Sequence, residues 1–465
     1  MLSRNIILET DSYKLNHWNQ YPEGTTKVFS YFESRVGAMY DETVFFGLQS
    51  ILMDYLQGVV VTQDNIDEAY ELSAKHFGDE KMFNLEGWQY IVDELGGKLP
   101  VIIKAVPEGT PVPVGNAMLT IENTDDKCPW LVGALESMLV HVWYPCTVAT
   151  RSREVKRMLI EYMMRTSDNY AGIAFMLHDF GYRGATCPEA AAIGGAAHLV
   201  NFMGTDTLPA MRLARSVYAA ILADLAFSVP ATEHSVMTSL GAEGEMELVE
   251  EHLKKYPTGI LSVVADSYNI YNFVDDLSSD ELKPLILERD GVFVVRPDSV
   301  TPLHPTPESL VVWIANNLYT NFGGEKNSKG FIVLNDKVRI LWGDGIDYDG
   351  IAAILAALEE NEFSAENIVF GMGGGLLQKL DRDTQRFAFK CSAQQRNGQW
   401  IDICKNPLDK SKASKTGRLK LHRIFNGYET IPEAADGVNA LETVFENGEI
   451  TLYHRFDQIR ERAAL

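Results

Sequence analysis

Between residues 291 and 375, short apolar runs that end in acidic or glycine-rich turns alternate with helix-like stretches: GVFVVRPDS (291–299), PESLVVWIANNLYTNF (307–322), VRILWGDGID (338–347), YDGIAAILAALEENEF (348–363) and NIVFGMGGG (367–375). Apolar strands that alternate with amphipathic helices predict parallel strands joined by helical crossovers. The runs are continuously apolar, which is typical of strands buried on both faces. This stretch therefore predicts an α/β fold.

The same pattern extends towards the N-terminus in AGIAFMLHDFGYRG (171–184), LPAMRLARSVYAAILADLAF (208–227) and GILSVVADSYN (259–269). One residue with functional chemistry follows each apolar run: Asp179, Asp266, Asp298, Asp344 and Gly373. In an α/β barrel the active site is built from the loops at the carboxyl ends of the strands, where these residues would lie. An open doubly wound sheet follows the same rule, so the pattern alone does not select a closed barrel.

The two ends of the chain have a different pattern. TTKVFSYFESR (25–35) and ETVFFGLQSILMDYLQ (42–57) resemble a strand and a helix, and residues 101–123 form a β-rich stretch with proline and glycine turns. The tail again contains short strands with turns. Because 465 residues exceed what one core usually organises, we predict two domains. Residues 1–145 with 385–465 form a mixed α/β domain, and residues 146–384 form a barrel domain.

Composition and charge exclude several classes of partner. The formal net charge of −23 opposes binding to nucleic acid or to an anionic membrane surface. The N-terminus has no apolar signal region, and no uncharged apolar run approaches the roughly 20 residues that span a bilayer. Five scattered cysteines without metal-like spacing indicate free thiols in a reducing compartment. We therefore expect a soluble, cytoplasmic protein without a structural metal.

Two strand ends carry candidate phosphate and ribose chemistry. In GMGGGLLQKL (371–380), consecutive glycines before a helix allow backbone N–H groups to approach an anion, although a merely tight turn is the alternative. In RPDS (296–299), the Arg296 guanidinium suits a phosphate or a carbonyl oxygen, and Asp298 suits ribose hydroxyls. An internal salt bridge between these two side chains explains the motif equally well.

Three weaker motifs have alternatives that are favoured on the residues alone. WGDGID places Asp344 in a turn that carries no signal by itself. HDFGYRG could stack an aromatic ligand on Phe180 and bind an anion with Arg183, or it could simply bury Phe180. His234 in SVPATEHS has the side chain best suited to proton or phosphoryl transfer near neutral pH, but most single histidines are structural.

Together with other segments, these motifs resemble the nicotinamide phosphoribosyltransferase family, whose members are type II phosphoribosyltransferases with a barrel. The fourteen matching segments occur in the family's order: TDSYKLNHWNQYP, YFESR, ETVFFGLQ, KAVPEGTPVPVGN, WYPCTVAT, LHDFGYRG, AHLVNFMGTDT, SVPATEHS, VVADSYNIYN, RPDS, GDGID, FGMGGGLLQKL, FKCS and TGRLKLH. The resemblance implies a TIM-like α/β barrel domain plus a mixed α/β domain made from both chain ends.

The resemblance also implies a role for each site residue. Phe180 stacks on the nicotinamide ring, Tyr13 from a second subunit covers its other face, and Asp206 accepts a hydrogen bond from the carboxamide. The other roles follow the parts of the substrate: Arg296 near the ring and its carbonyl, Asp298 on the ribose, Gly343, Gly373 and Gly374 around the 5′-phosphate, and Arg35, Arg382 and Lys390 around the pyrophosphate. Arg183 and Asp344 are expected to be further substrate-binding residues. His234 accepts a phosphoryl group from ATP, and Asp266 holds its ring.

The implied reaction joins nicotinamide to the phosphoribosyl group of phosphoribosyl pyrophosphate, with Mg²⁺ at the pyrophosphate and ATP as an optional energy source, in a homodimer. The alternatives are a nicotinate-using relative, a non-catalytic ligand-binding relative, and an unrelated phosphate-binding barrel lyase. Two departures stand out: Val300 replaces the glycine of the family's RPDSG, and Ala388 replaces a small hydroxyl residue two positions before Lys390.

Overall fold

The structure, a computed structural model, describes residues 4–408 and 413–465. Its strands are β1 (Thr25–Glu33), β2 (Glu42–Val44), β3 (Val101–Ala105), β4 (Pro111–Pro113), β5 (Ala117–Asn123), β6 (Leu177–Asp179), β7 (Gly204–Thr205), β8 (Thr258–Val264), β9 (Asp290–Arg296), β10 (Gly324–Lys326), β11 (Ile332–Leu334), β12 (Val338–Trp342), β13 (Ile368–Met372), β14 (Ala388–Arg396), β15 (Gln399–Asp402), β16 (Leu419–Ile424), β17 (Gly427–Pro432), β18 (Glu442–Glu446) and β19 (Glu449–Ile450).

The α-helices lie mostly between the strands of the central part of the chain. They are α1 (Leu48–Ile51), α2 (Gln63–Phe77), α3 (Leu85–Asp93), α4 (Trp130–Leu139), α5 (Trp143–Thr166), α6 (Pro188–His198), α7 (Leu208–Tyr218), α8 (His234–Met237), α9 (Glu245–Lys255), α10 (Ile270–Asp276), α11 (Leu282–Glu288), α12 (Pro307–Phe322), α13 (Tyr348–Glu360), α14 (Gly374–Leu377) and α15 (Phe456–Ala463).

The chain divides into two compact units. Unit 1 holds the described residues up to Thr150, together with Ala214–Ala220 and Asp381–Ala464, and unit 2 holds Arg151–Leu213 and Ile221–Leu380. The sequence-based boundaries after residues 145 and 384 remain a prediction about folding domains. The short insertion at 214–220 was not part of that prediction.

A parallel sheet of order β7-β6-β13-β12-β9-β8 forms the centre of unit 2. Each neighbouring pair is parallel, and the end of β8 meets the end of β9 where Val264 pairs with Arg296. Residues 227–232 join the two sheet edges, because Phe227 bridges to Gly204 of β7 and Ala231 bridges to Ser262 of β8. The parallel strands therefore close into a ring, as the TIM-like barrel prediction requires.

One helix is shorter than its sequence pattern indicates. The apolar stretch 208–227 predicts one continuous helix, but α7 ends at Tyr218 and the chain turns at Ala219, whose φ is 50°. The turn lets the fully buried Tyr218 ring stack on Phe46, with the two centroids 5.1 Å apart. Burial of this ring outweighs continuation of the helix, since an aromatic side chain contributes a large apolar area.

Unit 1 is organised around an antiparallel sheet of order β15-β14-β1-β5-β3-β18-β19. Its interior strand β1 pairs with β5 on one side and with β14, from the far end of the chain, on the other. Both chain ends thus contribute to one sheet, which is the mixed α/β domain that the sequence predicts. A buried apolar cluster with residues from both ends packs with this sheet.

One helical stretch, Trp130–Thr166, has the length and hydropathy of a membrane span. However, 61% of the most apolar part of this stretch is buried inside the protein, and a buried core helix can have the same length and hydropathy. All five cysteines are free thiols, as their spacing predicts.

Candidate active site

Eleven of the predicted site residues follow parallel strands of unit 2 or the segment that closes its ring. They are Phe180 and Arg183 after β6, Asp206 after β7, His234 after residues 227–232, Asp266 after β8, Arg296 and Asp298 at the end of β9, Gly343 and Asp344 after β12, and Gly373 and Gly374 after β13. Carboxyl ends of parallel strands meet at one edge of the sheet, so these residues share one rim of the ring.

His234 lies between two carboxylates on this rim. Its Nε2 is 3.2 Å from Asp266 Oδ1, and its Nδ1 is 3.9 Å from Asp298 Oδ2. Asp266 is nearly buried and also accepts a hydrogen bond from the Ser299 hydroxyl, whereas the His234 side chain is 48% exposed. A histidine held by a carboxylate on one nitrogen, with its ring open to solvent, is suited to exchange a proton or accept a phosphoryl group.

The rim concentrates negative charge. Partial burial, followed by the nearby carboxylates of Asp298 and Asp266, raises the pKa of Asp344. Arg296 provides a counter-charge, with its Nη2 3.4 Å from Asp298 Oδ1. Its buried Nε has no hydrogen-bond partner among the described residues. Neighbouring carboxylates of this kind attract a cationic ligand or accept hydrogen bonds from ribose hydroxyls.

Phe180 provides an aromatic surface next to Arg296, whose guanidinium carbon lies 5.3 Å from the ring centroid. The Phe180 backbone N–H donates to the Met372 carbonyl, which fixes it against β13. A Cβ on Gly371 would lie 2.0 Å from the ring, so only glycine leaves room for it there. The phenylalanine is thus held at the rim with its ring partly exposed, which fits a platform for a planar ligand.

Asp206 lies beside Phe180 in the neighbouring strand connection, because its backbone N–H donates to the Asp179 carbonyl. Its Oδ1 accepts a hydrogen bond of 2.5 Å from the Ser228 hydroxyl, and its side chain is exposed. Burial lowers the pKa of the nearby His178, while the Asp206 charge opposes that shift. Burial raises the pKa of Asp179 to about 6. Asp206 is therefore the exposed carboxylate of this group, available to a ligand.

The glycine-rich segment after β13 has open backbone at its centre. A Cβ on Gly374 would meet no atom within 4 Å, whereas one on Gly375 would lie 2.5 Å from the Ile346 carbonyl oxygen. Arg151 Nη1 donates to the carbonyls of Gly375 and Lys379, at 2.5 and 3.0 Å. Arg151 therefore fixes the segment through Gly375 and Lys379, while the backbone at Gly374 stays open, as anion binding requires.

The other predicted residues, Tyr13, Arg35, Arg382 and Lys390, lie in unit 1. Arg35 Nε donates to the Arg386 carbonyl at 3.0 Å, and the pairing of β1 with β14 brings it near Lys390. Burial lowers the pKa of Lys390, and among the lesser causes the charges of Arg35 and Arg382 lower it further. These three side chains form a basic cluster, whereas Tyr13 stands 58% exposed on the first helical turn.

Four residues of the rim escaped the sequence analysis: His178, Ser228, Ser299 and Gly371. Ser228 and Ser299 each belong to a segment already singled out, and each donates to a predicted site aspartate. A hydroxyl within two residues of a strand-end motif was therefore a usable signal. Gly371 lies in the glycine-rich motif already singled out, but its approach to Phe180 could not be predicted, because Phe180 is distant in the chain.

Comparisons with known proteins match this chain to two related protein families. The model of the nicotinate phosphoribosyltransferase family matches residues 175–449, and that of the nicotinamide phosphoribosyltransferase N-terminal domain matches residues 5–103. The nicotinamide phosphoribosyltransferase of Xanthomonas campestris pv. campestris is 46% identical, over 99% of this chain and 98% of its own length. That of Acinetobacter baylyi is 34% identical, over 99% and 97%.

The chain therefore belongs to the nicotinate phosphoribosyltransferase family. Within that family it is similar along its whole length to the nicotinamide phosphoribosyltransferases. Among solved structures, nicotinate-nucleotide pyrophosphorylase from Pyrococcus furiosus aligns with a TM-score of 0.64 at 16% identity, covering 99% of this chain and 96% of that one. Human nicotinic acid phosphoribosyltransferase aligns at 0.57 with 15% identity, covering 98% and 92%. These structures share the fold.

Proposed function

We propose that the protein transfers the phosphoribosyl group of phosphoribosyl pyrophosphate to nicotinamide, forming nicotinamide mononucleotide and pyrophosphate for NAD synthesis or salvage. The observation that carries this proposal is the contact series at the rim, from Phe180 through Arg296 and Asp298 to His234 and Asp266. In this series an aromatic ring, a guanidinium, a carboxylate and a histidine–carboxylate pair follow one another, which supports neighbouring positions for the base, the ribose and a phosphoryl group. The full-length similarity to nicotinamide phosphoribosyltransferases supports the same reaction.

The residue types fit the chemistry of the step. Breaking the bond between ribose C1 and pyrophosphate develops positive charge on the sugar and negative charge on the leaving group. Asp298 holds the ribose hydroxyls and stabilises the cationic sugar, while Phe180 orients the ring nitrogen of the base towards C1. The open backbone at Gly373 and Gly374, with Gly343 on the neighbouring strand end, positions the 5′-phosphate. No protein nucleophile on the sugar is needed.

A Mg²⁺ ion fits the acidic rim when it arrives with pyrophosphate. Within residues 4–408 and 413–465, no group of three or more His, Cys, Asp or Glu side chains forms a metal cage. Asp298 and Asp344 nevertheless lie close enough for one charge to raise the pKa of the other carboxyl. These two carboxylates would hold the ion together with substrate oxygens, the mixed ligand set that Mg²⁺ prefers. Bound there, the ion would neutralise charge on the leaving group.

Asp206 is proposed to select nicotinamide over nicotinate. One of its oxygens accepts from Ser228, and no described residue donates to the other. An ionised carboxylate accepts a hydrogen bond from a carboxamide NH2 but repels the carboxylate of nicotinate. Like charges in a partly desolvated pocket cost on the order of 1–3 kcal/mol, or roughly 5- to 150-fold in relative efficiency.

ATP is proposed to act through His234. Its Nδ1 faces Asp298, its Nε2 is held by Asp266, and its ring is half exposed at the start of α8. Transfer of the terminal phosphoryl group of ATP to this imidazole would release ADP, and later hydrolysis of the phosphohistidine would return phosphate. Arg183, exposed after β6, is positioned on the same rim to meet an anionic ligand.

The active enzyme is proposed to be a cytoplasmic homodimer with two shared sites. Each active site would combine the parallel strands of one subunit with residues of the other subunit. Tyr13 of that second subunit would cover the base, and its basic cluster of Arg35, Arg382 and Lys390 would bind pyrophosphate. The exposed aromatic ring of Tyr13 and the partly desolvated Lys390 fit those duties. A closed dimer of this kind would be symmetric.

The test is to mix purified protein with nicotinamide, phosphoribosyl pyrophosphate and Mg²⁺, with and without ATP, and to quantify the mononucleotide and pyrophosphate. Stoichiometric formation of both products is expected, and their absence would refute the proposal. The ratio of kcat/KM for nicotinamide and nicotinate is then compared in wild type, Asp206→Asn and the surface control Asp280→Asn. Asp206→Asn should lower the ratio, and an unchanged ratio would remove Asp206 from base selection.

A further inference from the structure

A compact hydrogen-bonded group joins two strand-end segments outside the site residues. The Tyr271 hydroxyl lies 2.5 Å from Thr301 Oγ1 and 2.9 Å from His304 Nδ1. The His304 backbone N–H donates back to Thr301 Oγ1 at 3.0 Å. We call the group formed by Tyr271, Thr301, His304 and Trp313 the rim brace.

The rim brace is also packed through its rings. The rings of Tyr271 and Trp313 meet edge to face, with centroids 4.8 Å apart, and the His304 ring lies 5.8 Å from that of Trp313. Trp313 belongs to α12, and Tyr271 belongs to the first turn of α10, where Asn269 caps its backbone N–H. Both helices are therefore tied to the loop that carries Thr301 and His304.

The hydrogen bonds of the group close on themselves. With a neutral His304, the Tyr271 hydroxyl donates to Nδ1, the Thr301 hydroxyl donates to the Tyr271 oxygen, and the His304 N–H donates to Thr301 Oγ1. Each of the two hydroxyl oxygens then donates one hydrogen bond and accepts another. Such a satisfied polar network fixes a single local arrangement more firmly than separate bonds do.

The two segments that the brace joins carry the two carboxylates flanking His234. Asp266 precedes Tyr271 by five residues on the segment after β8, and Asp298 precedes Thr301 by three on the segment after β9. Strands β8 and β9 are direct neighbours, and the Ser299 hydroxyl already bonds Asp266. Motion of the second segment against the first would change the distance between the two carboxylates on either side of His234.

We propose that Tyr271 is a positioning residue that, through Thr301 and His304, fixes the spacing between Asp266 and Asp298. The proposal rests on the proposed function, in which Asp298 holds the ribose hydroxyls and Asp266 holds the ring of His234. It also gives a reason why Val300 is accepted where the family has glycine. The brace, rather than a flexible glycine, determines the path of the loop.

The decisive variant is Tyr271→Phe, which removes the hydroxyl but keeps the ring against Trp313. Its KM for phosphoribosyl pyrophosphate should rise roughly 5- to 30-fold, the range that one or two lost neutral hydrogen bonds correspond to. Its KM for nicotinamide should stay within about twofold, because neither Phe180 nor Asp206 contacts the brace directly. Tyr319→Phe, on α12 without a described hydroxyl partner, is the matched control.

Two further variants separate positioning from a general packing role. His304→Asn keeps an acceptor near the Tyr271 hydroxyl and should retain most of the wild-type KM, whereas His304→Leu should resemble Tyr271→Phe. Hydrogen exchange of residues 298–306 should be faster in Tyr271→Phe and in His304→Leu than in Tyr319→Phe. Equal increases in both KM values, or exchange no faster than in the control, would overturn the proposal. Because exchange needs no substrate, it tests the brace even if the wild type forms no mononucleotide.

Discussion

Glu245 allows a quantitative test of the electrostatics behind the rim. It begins α9, is 6% exposed, and its Oε1 has no hydrogen-bond partner among the described residues. Burial, followed by the charges of Asp266 and Asp276, raises the pKa of this carboxyl from 4.5 to about 7. The folded protein therefore holds the Glu245 proton more tightly than the unfolded chain does.

The sign and size of the effect on stability follow directly. A carboxyl whose folded pKa is raised leaves stability intact below pH 4.5 and lowers it as the pH rises through about 7. At about 1.4 kcal/mol for each pKa unit, wild type should lose about 2.5 kcal/mol of unfolding free energy from this group between pH 5 and pH 8.5. Glu245→Gln cannot ionise and should not show this loss.

The assay is urea unfolding followed by tryptophan fluorescence at both pH values. The stability of Glu245→Gln relative to wild type should increase by about 2.5 kcal/mol from pH 5 to pH 8.5. Glu247→Gln, an exposed position on the same helix, is the control and should keep a constant difference. A pH-independent difference for Glu245→Gln would mean that Glu245 ionises normally in the folded protein, and the reasoning would fail.

Three other changes address the site itself. Gly371→Ala would place a methyl group 2.0 Å from the Phe180 ring; because that ring must move, the KM for nicotinamide should rise at least about tenfold, and an unchanged KM would show that the ring is not the base platform. His234→Ala should abolish ATP hydrolysis but leave ATP-independent mononucleotide formation, and full ATP coupling in this variant would exclude a phosphohistidine at that position. Inactive Tyr13→Ala and inactive Asp298→Ala chains should regain activity when mixed, through dimers with one intact site; demonstrated subunit exchange without recovered activity would contradict shared sites.

Much of unit 2 was predictable because each strand and its following turn are local in sequence. The runs that precede Asp266, Asp298 and Asp344 are mostly apolar and form β8, β9 and β12. The closing segment 227–232 was not predictable as a strand, since it pairs with its neighbours only through single bridges. The end of α7 at Tyr218 was not predictable either, because it depends on the contact of Tyr218 with Phe46, which is distant in the chain.

The site residues also divide into those that a local sequence pattern marks and those that depend on contacts with distant residues. Acidic residues after strands can be recognised from the sequence, since parallel strands bring their carboxyl ends to one edge. Glu245 could not be recognised, because GEMELVEEHLKK has the appearance of a solvated amphipathic helix with acids on its outer face. The brace at Tyr271 depends on side chains from three segments, and no local pattern marks such a meeting point.

The placement of β14 beside β1 has a consequence for biosynthesis. During translation the strands β1, β3 and β5 leave the ribosome long before β14, β15 and β18, so their sheet has unpaired edges while all of unit 2 is made. The ring of unit 2, whose segments are nearly contiguous, has every strand it needs before the last 80 or so residues emerge. Exposed strand edges invite pairing with other chains. The nascent protein is thus most prone to aggregate late in synthesis, and a truncation that removes β14 leaves that vulnerability permanent.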